Sequence, residues 1–237
     1  HGHHRKVVTM GEASKFGIPL HQIPAVLEQV QRLNIRVTGL HAHSGSGVRD
    51  PSVWAQQLEQ FLALLKDFPE VRVIDLGGGL GVPERRDEAP FDLDQLDDLL
   101  LALDLPEQVS LWLEPGRYLV SEAGVLLARV TQIKAKAQYA YLGADVGMNS
   151  LLRPALYGAF HDMVNLSRPE LPSTECYTVV GPICESGDVL GEQRYLPPSE
   201  EGDVLLIANA GAYGRVMASH YNRREPAREV ILDALDA

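Results

Sequence analysis

Apolar residues recur along the first half of the chain in two alternating rhythms. Ile23, Val26, Leu27, Val30 and Leu33 fall three and four positions apart, which places them on one face of a helix. A strand is expected at about 36–42. Asp50-Pro51 then supplies an N-cap and a first-turn proline, and Trp54, Leu58, Phe61, Leu62 and Leu65 continue as a second amphipathic helix. VRVIDL at 71–76 reads as a strand and Leu93, Leu96, Leu100 and Leu103 as a third helix. Val109, Leu111 and Leu113 next alternate with Ser110, Trp112 and Glu114 in a third strand. The first half is therefore three strand and helix units.

From about residue 125 the rhythm changes to short β runs separated by Gly, Pro and Asp turns: VLLARVTQIKA, QYAYLGADV, ECYTVVG, DVLLIAN and AREVILD. YLPPSEEGD at 195–203 resembles a linker and is read as a loop. α/β units followed by a run of strands imply two domains, 1–122 and 123–237.

The chain has 237 residues, 45% of them hydrophobic, enough for a sizeable core, and a formal net charge of −11. That charge argues against general affinity for nucleic acid or anionic membranes, both of which need a basic patch. No apolar run approaches the roughly 20 residues of a membrane span. Cys176 and Cys184 fit no common metal-ligand spacing and form no disulfide scaffold, so no metal is expected and a cytoplasmic setting fits. Small-molecule chemistry is the default reading.

Candidate chemistry collects just after the three strands, in HAHSGSG at 41–47, LGGGLG at 76–81 and EPGR at 114–117. In a (β/α) barrel the C-terminal strand ends form the active-site face. Gly77, Gly78 and Gly79 lack Cβ atoms, so their amides can surround a phosphate, and Ser46 can add a hydroxyl donor. His43 offers a flat ring to an aromatic cofactor. Glu114 can keep a pyridine nitrogen protonated, and Arg117 can bind a carboxylate through two N–H groups.

These strings, with SKFGI at 14–18, RPALYGAFH at 153–161, CESGD at 184–188 and AGAYGRVMASHYN at 210–222, make the sequence resemble the fold-type III pyridoxal-phosphate decarboxylases. The resemblance covers nearly the whole chain. It implies a partial (β/α)8 barrel of the alanine racemase-like type followed by a C-terminal β-sandwich or β-barrel domain. It implies pyridoxal 5'-phosphate as cofactor, with His43 stacked on the ring, Glu114 at the pyridine nitrogen, and Ser46, Gly78, Gly79 and the Pro115, Gly116 and Arg117 region around the phosphate. Tyr213 would stand between cofactor and substrate, and Cys184 would protonate the carbon left after carbon dioxide departs. CESGD would cross a dimer interface, making the protein a homodimer with shared sites.

The likeness also bears on the substrate, an amino acid with a second charged head. Arg117 and Arg153 can take its distal carboxylate, Glu185 its distal ammonium, and Tyr157 and Tyr213 add hydroxyl contacts. The combination of RPxLY with CESGD favours diaminopimelate as substrate and lysine as product. A decarboxylase for arginine, ornithine or carboxynorspermidine is the alternative within the family, and a non-catalytic homologue is the alternative outside catalysis. The family holds its cofactor on a lysine in an early barrel strand, and no YAxKA-like strand is present here; KAKA at 134–137 is read as a solvated strand. HGHH is read as native sequence matching the family's GHHxKV. The first barrel strands and that lysine are therefore expected to precede His1, and a fusion to an upstream aspartate kinase stays open.

Overall fold

The computed structural model describes residues 14–136 and 139–232. The GHHRKV stretch lies outside them. The chain divides into two compact units, one ending at Tyr118 and interrupted by Glu84–Glu88, the other made of Glu84–Glu88 and the chain from Leu119 onward.

In the first unit, β1 (Gly39–His41), β2 (Val73–Asp75) and β3 (Ser110–Trp112) form a parallel sheet in that order. The register sets His41 beside Asp75 and Asp75 beside Trp112. The intervening helices are α1 (Ile23–Arg32), α2 (Ser52–Leu64) and α3 (Leu93–Leu101). All three strands lie where the alternation put them, though each is shorter. The N-cap of α2 is Pro51 rather than the expected Asp50, whose carboxylate accepts the Ser52 amide at 2.9 Å from one residue further out, and α3 is capped by Asp92, which accepts the Gln95 amide at 2.9 Å. Trp54, Leu58 and Phe61 bury one face of α2 against Ile74, Leu76 and Leu96. Trp54 meets Phe91 edge to face at 5.4 Å. This is a segment of a (β/α) barrel, and its chemistry-bearing loops all leave the same end of the sheet.

The second unit is a six-stranded sheet in the order β6-β9-β4-β5-β7-β8. Its strands are β4 (Leu126–Lys136), β5 (Tyr139–Ala144), β6 (Met163–Asn165), β7 (Glu175–Val180), β8 (Val189–Leu196) and β9 (Val204–Ile207). Only β5 and β7 pair in parallel; the other pairs are antiparallel. β4 serves two neighbours in turn, with Leu126–Arg129 on β9 and the stretch from Val130 on β5. Ala128 and Val130 point inward while Leu127, Arg129 and Thr131 point out. Leu142, Val179, Leu190, Leu205 and Ile207 form the core. Two short helices, α4 (Gly116–Val120) and α5 (Arg153–Tyr157), complete the described elements relevant to the site.

Three details differ from the sequence reading. β6 and β8 were not anticipated, because β6 has three residues and β8, an edge strand, carries Gly191, Glu192 and Arg194. YLPPSEEGD is a loop only beyond Leu196, its first two residues closing β8. AREVILD is not a strand over 227–232, its residue 233 lying outside the described residues. Val230, Ile231 and Leu232 are exposed there, and β propensity without a neighbouring strand does not make a ladder. KAKA behaves as read: Lys134 and Lys136 lie exposed on β4. Among the described residues no helix is long and apolar enough to cross a membrane.

Candidate active site

The loops that follow β1, β2 and β3 are stitched together backbone to backbone. Ala42 donates to the Asp75 carbonyl at 3.1 Å, Leu76 to that of Trp112 at 3.0 Å, and Glu114 to that of Gly77 at 2.9 Å. The triple glycine is what permits this closeness. A Cβ on Gly78 would lie 2.1 Å from the Glu114 carbonyl oxygen, and one on Gly79, at φ +95°, 2.0 Å from that of Gly45. The glycines therefore serve loop packing first. The Gly78 amide donates to Nδ1 of His43 at 3.1 Å and the Gly116 amide to the Glu114 carbonyl at 2.8 Å, so neither points freely at a phosphate.

His43 is held as a neutral ring. Nδ1 accepts the Gly78 amide, and burial lowers its pKa below the ordinary imidazole value, with Glu114 opposing this and His41 adding to it. Glu114 lies 3.3 Å from Nε2 of His41, and the Asp75 carboxylate lies in the same group while accepting the Gly77 amide at 2.9 Å. Arg117 is almost fully buried and Pro115 partly so. His43, Ser46, Gly78, Gly79, Glu114, Pro115, Gly116 and Arg117 thus all belong to one end of this sheet.

The other expected residues lie in the second unit. Arg153 opens α5, buried to 3% exposure, with Nη1 3.2 Å from Nε2 of His161 and Nη2 3.7 Å from Oε1 of Glu84. Tyr157 ends the same helix, half-buried. Cys184 and Glu185 are exposed on the turn between β7 and β8, and the Tyr221 hydroxyl donates to Glu185 at 3.4 Å. Tyr213 is exposed with a positive φ of 58°.

Sequence reasoning missed the residues that brace these groups. Gln57 on α2, buried, donates to the Ala42 carbonyl at 2.6 Å and accepts from the Ser44 hydroxyl, fixing the loop that carries His43 and Ser46. Asp188, also buried, accepts the amides of Met148 at 2.6 Å and Ile183 at 2.7 Å, which pins the Cys184 turn. CESGD contains Asp188, but only the fold reveals what it grips. His41 is the third, visible in sequence as the first histidine of HAH but not as a partner of Glu114.

The donor set suits a pyridoxal phosphate. Among the described residues the Gly79 amide has no protein hydrogen bond, and it stands in the loop cluster that also carries the oriented His43 ring and the Glu114 carboxylate. A Cβ on Gly116 would meet nothing within 4 Å, so that position is open to a bulky group.

Comparison with known families agrees. The pyridoxal binding domain of the pyridoxal-dependent decarboxylases matches residues 1–121, and their C-terminal sheet domain matches residues 71–211. The chain belongs to this family of pyridoxal 5'-phosphate-dependent carboxy-lyases. Among its relatives it is similar to the diaminopimelate decarboxylase of Methanothermobacter thermautotrophicus, 39% identical over 98% of this chain and 56% of the relative. It is similar also to that of Escherichia coli K12, 37% identical over 98% of this chain and 60% of the relative. A crystal structure of diaminopimelate decarboxylase superposes with a TM-score of 0.88 at 36% identity, covering 99% of this chain and 60% of the other. The Helicobacter pylori enzyme complexed with L-lysine gives 0.80 at 30%, covering 92% and 55%. A Vibrio vulnificus lysine/ornithine decarboxylase complexed with cadaverine gives 0.78 at 25%, covering 90% and 59%. The chain spans a little over half the length of the curated relatives it matches.

Proposed function

We propose that this chain forms part of a cytoplasmic, homodimeric decarboxylase that converts meso-2,6-diaminopimelate to L-lysine with pyridoxal 5'-phosphate. The observation that carries the reading is the pairing of Cys184 with Glu185 on one exposed, braced turn, in a chain 39% identical to a diaminopimelate decarboxylase. Bound pyridoxal phosphate supplies the electron sink for loss of the carboxylate. His43, Ser46, Gly79 and Arg117 would hold it, Gly78, Pro115 and Gly116 would shape the loops around it with their amides already engaged or absent, and Glu114 would keep its ring nitrogen protonated. Arg117, Arg153, Tyr157, Tyr213 and Glu185 would orient the substrate by its charged ends. Once the bond between the α-carbon and the departing carboxylate has broken, the Cys184 thiol would deliver its proton to that carbon. An exposed turn suits a residue that completes the site of a second copy.

The test is a substrate panel of diaminopimelate, ornithine, arginine and lysine, scored by carbon dioxide release and product identity. L-lysine should appear from diaminopimelate only, and Cys184→Ala should abolish turnover while pyridoxal phosphate still binds. Faster release from ornithine or arginine overturns the substrate assignment, and a Cys184→Ala protein with full turnover overturns the proton donor.

A further inference from the structure

His161, the last residue of RPALYGAFH, has no assigned task in the reading above, yet its side chain is among the most completely buried in the protein, at 0% exposure. Its Nδ1 lies 2.8 Å from the Ala208 carbonyl oxygen. A carbonyl can only accept, so Nδ1 carries the hydrogen. Its Nε2 lies 3.2 Å from Nη1 of Arg153. A guanidinium can only donate and does not lose its proton, so Nε2 presents a lone pair. The two contacts select one neutral tautomer.

The chain path makes this meeting possible. α5 begins at Arg153 and stops after one turn at Gly158, whose φ of +65° is left-handed and whose amide donates to the Pro154 carbonyl at 2.8 Å. The chain then doubles back, and the Ala208 amide donates to the Asp162 carbonyl at 2.9 Å, locking the segment to the end of β9. His161 is thus anchored by backbone before it touches Arg153.

A neutral acceptor orients a guanidinium without cancelling its charge. The Glu84 carboxylate forms an ion pair with Arg153 at 3.7 Å, beyond hydrogen-bond length, so it neither orients the guanidinium nor takes up its N–H groups. We propose that His161 is a positioning residue that aims Arg153 at a ligand carboxylate and preserves the charge that binds it. This rests on the reading of Arg153 as a substrate residue, and the experiment separates the two.

L-lysine and cadaverine differ by one carboxylate, the group Arg153 would bind. Their affinities are measured by calorimetry on the pyridoxal phosphate-loaded protein for wild type, Arg153→Gln, His161→Leu and His161→Gln. The expected result is a loss of L-lysine affinity of about tenfold or more in Arg153→Gln and His161→Leu with cadaverine unchanged, a size typical for one charged hydrogen bond. His161→Gln, which keeps a donor and an acceptor, should recover most of it. If His161→Leu does not fold, His161→Asn, too short to reach Arg153, takes its place. An unchanged lysine-to-cadaverine ratio in the disruptive His161 variant, with the ratio lost in Arg153→Gln, overturns the positioning role alone. An unchanged ratio in Arg153→Gln overturns the Arg153 reading itself.

Discussion

Asp188→Asn removes no volume, so it isolates what the charge does. One carboxylate oxygen accepts the Met148 amide at 2.6 Å and the other the Ile183 amide at 2.7 Å, in a pocket so close that a Cβ on Gly147 or Gly181 would lie 2.5 or 2.3 Å from the carboxylate. A carboxamide has one acceptor oxygen, so one amide keeps its partner and the other faces an NH2 group. Losing one charge-assisted bond costs about 1.5–3 kcal/mol, and leaving a buried N–H unpaired adds about 1–3 kcal/mol. A total of about 3–5 kcal/mol is a large share of a stability of about 5–15 kcal/mol. At about 2–4 °C per kcal/mol for a chain of this size, the melting temperature should fall by about 10 °C. The Cys184 turn should also loosen, so that iodoacetamide alkylates Cys184 faster than in wild type, while affinity for pyridoxal phosphate, whose proposed contacts lie in the other unit, stays the same. A melting shift under about 2 °C with an unchanged alkylation rate would refute the bracing role.

Three other outcomes are expected. Gly79→Ala, at φ +95° and with its Cβ 2.0 Å from the Gly45 carbonyl, should weaken pyridoxal phosphate binding at least about tenfold in a fluorescence titration; wild-type affinity would show that the loops can part cheaply. His43 takes up its proton at lower pH in the folded than in the unfolded chain. Stability is therefore level above the ordinary value of about 6.5 and falls as the pH drops below it, a component that His43→Gln should remove from urea-unfolding curves. Glu185→Ala should raise KM for diaminopimelate by an amount worth about 2–5 kcal/mol while cofactor binding is kept, and equal loss of cofactor would contradict its place at the distal ammonium.

How much could be read from residues alone depended on whether the partner was near in sequence. The apolar stripe of α2 and, to within one residue, its start at Asp50-Pro51 were visible because both are local patterns. The loop glycines were visible as glycines, but their reason was not: the atoms that fill the missing Cβ positions belong to Gly45 and Glu114, in the loops after β1 and β3. Gln57 left no signal, and Asp188 and His161 stood inside the quoted CESGD and RPALYGAFH strings without any sign of what they hold. Their partners are mostly main-chain groups, up to 47 residues away for His161 and Ala208, and a main-chain amide or carbonyl looks the same in every sequence. AREVILD shows the converse, a strand pattern without a strand to pair with.

The divided pairing of β4 also dictates an order of events during synthesis. Its C-terminal half meets β5 across a short connection, so that hairpin can close as soon as it leaves the ribosome. Its N-terminal half, Leu126–Arg129, must wait for β9, about eighty residues later in translation, before its backbone is paired on that side. Until then an apolar strand edge stands open in the nascent chain, and β6, which also hangs on β9, waits with it. A stalled or truncated product ending before Val204 would therefore expose that edge permanently and be a natural client for chaperones.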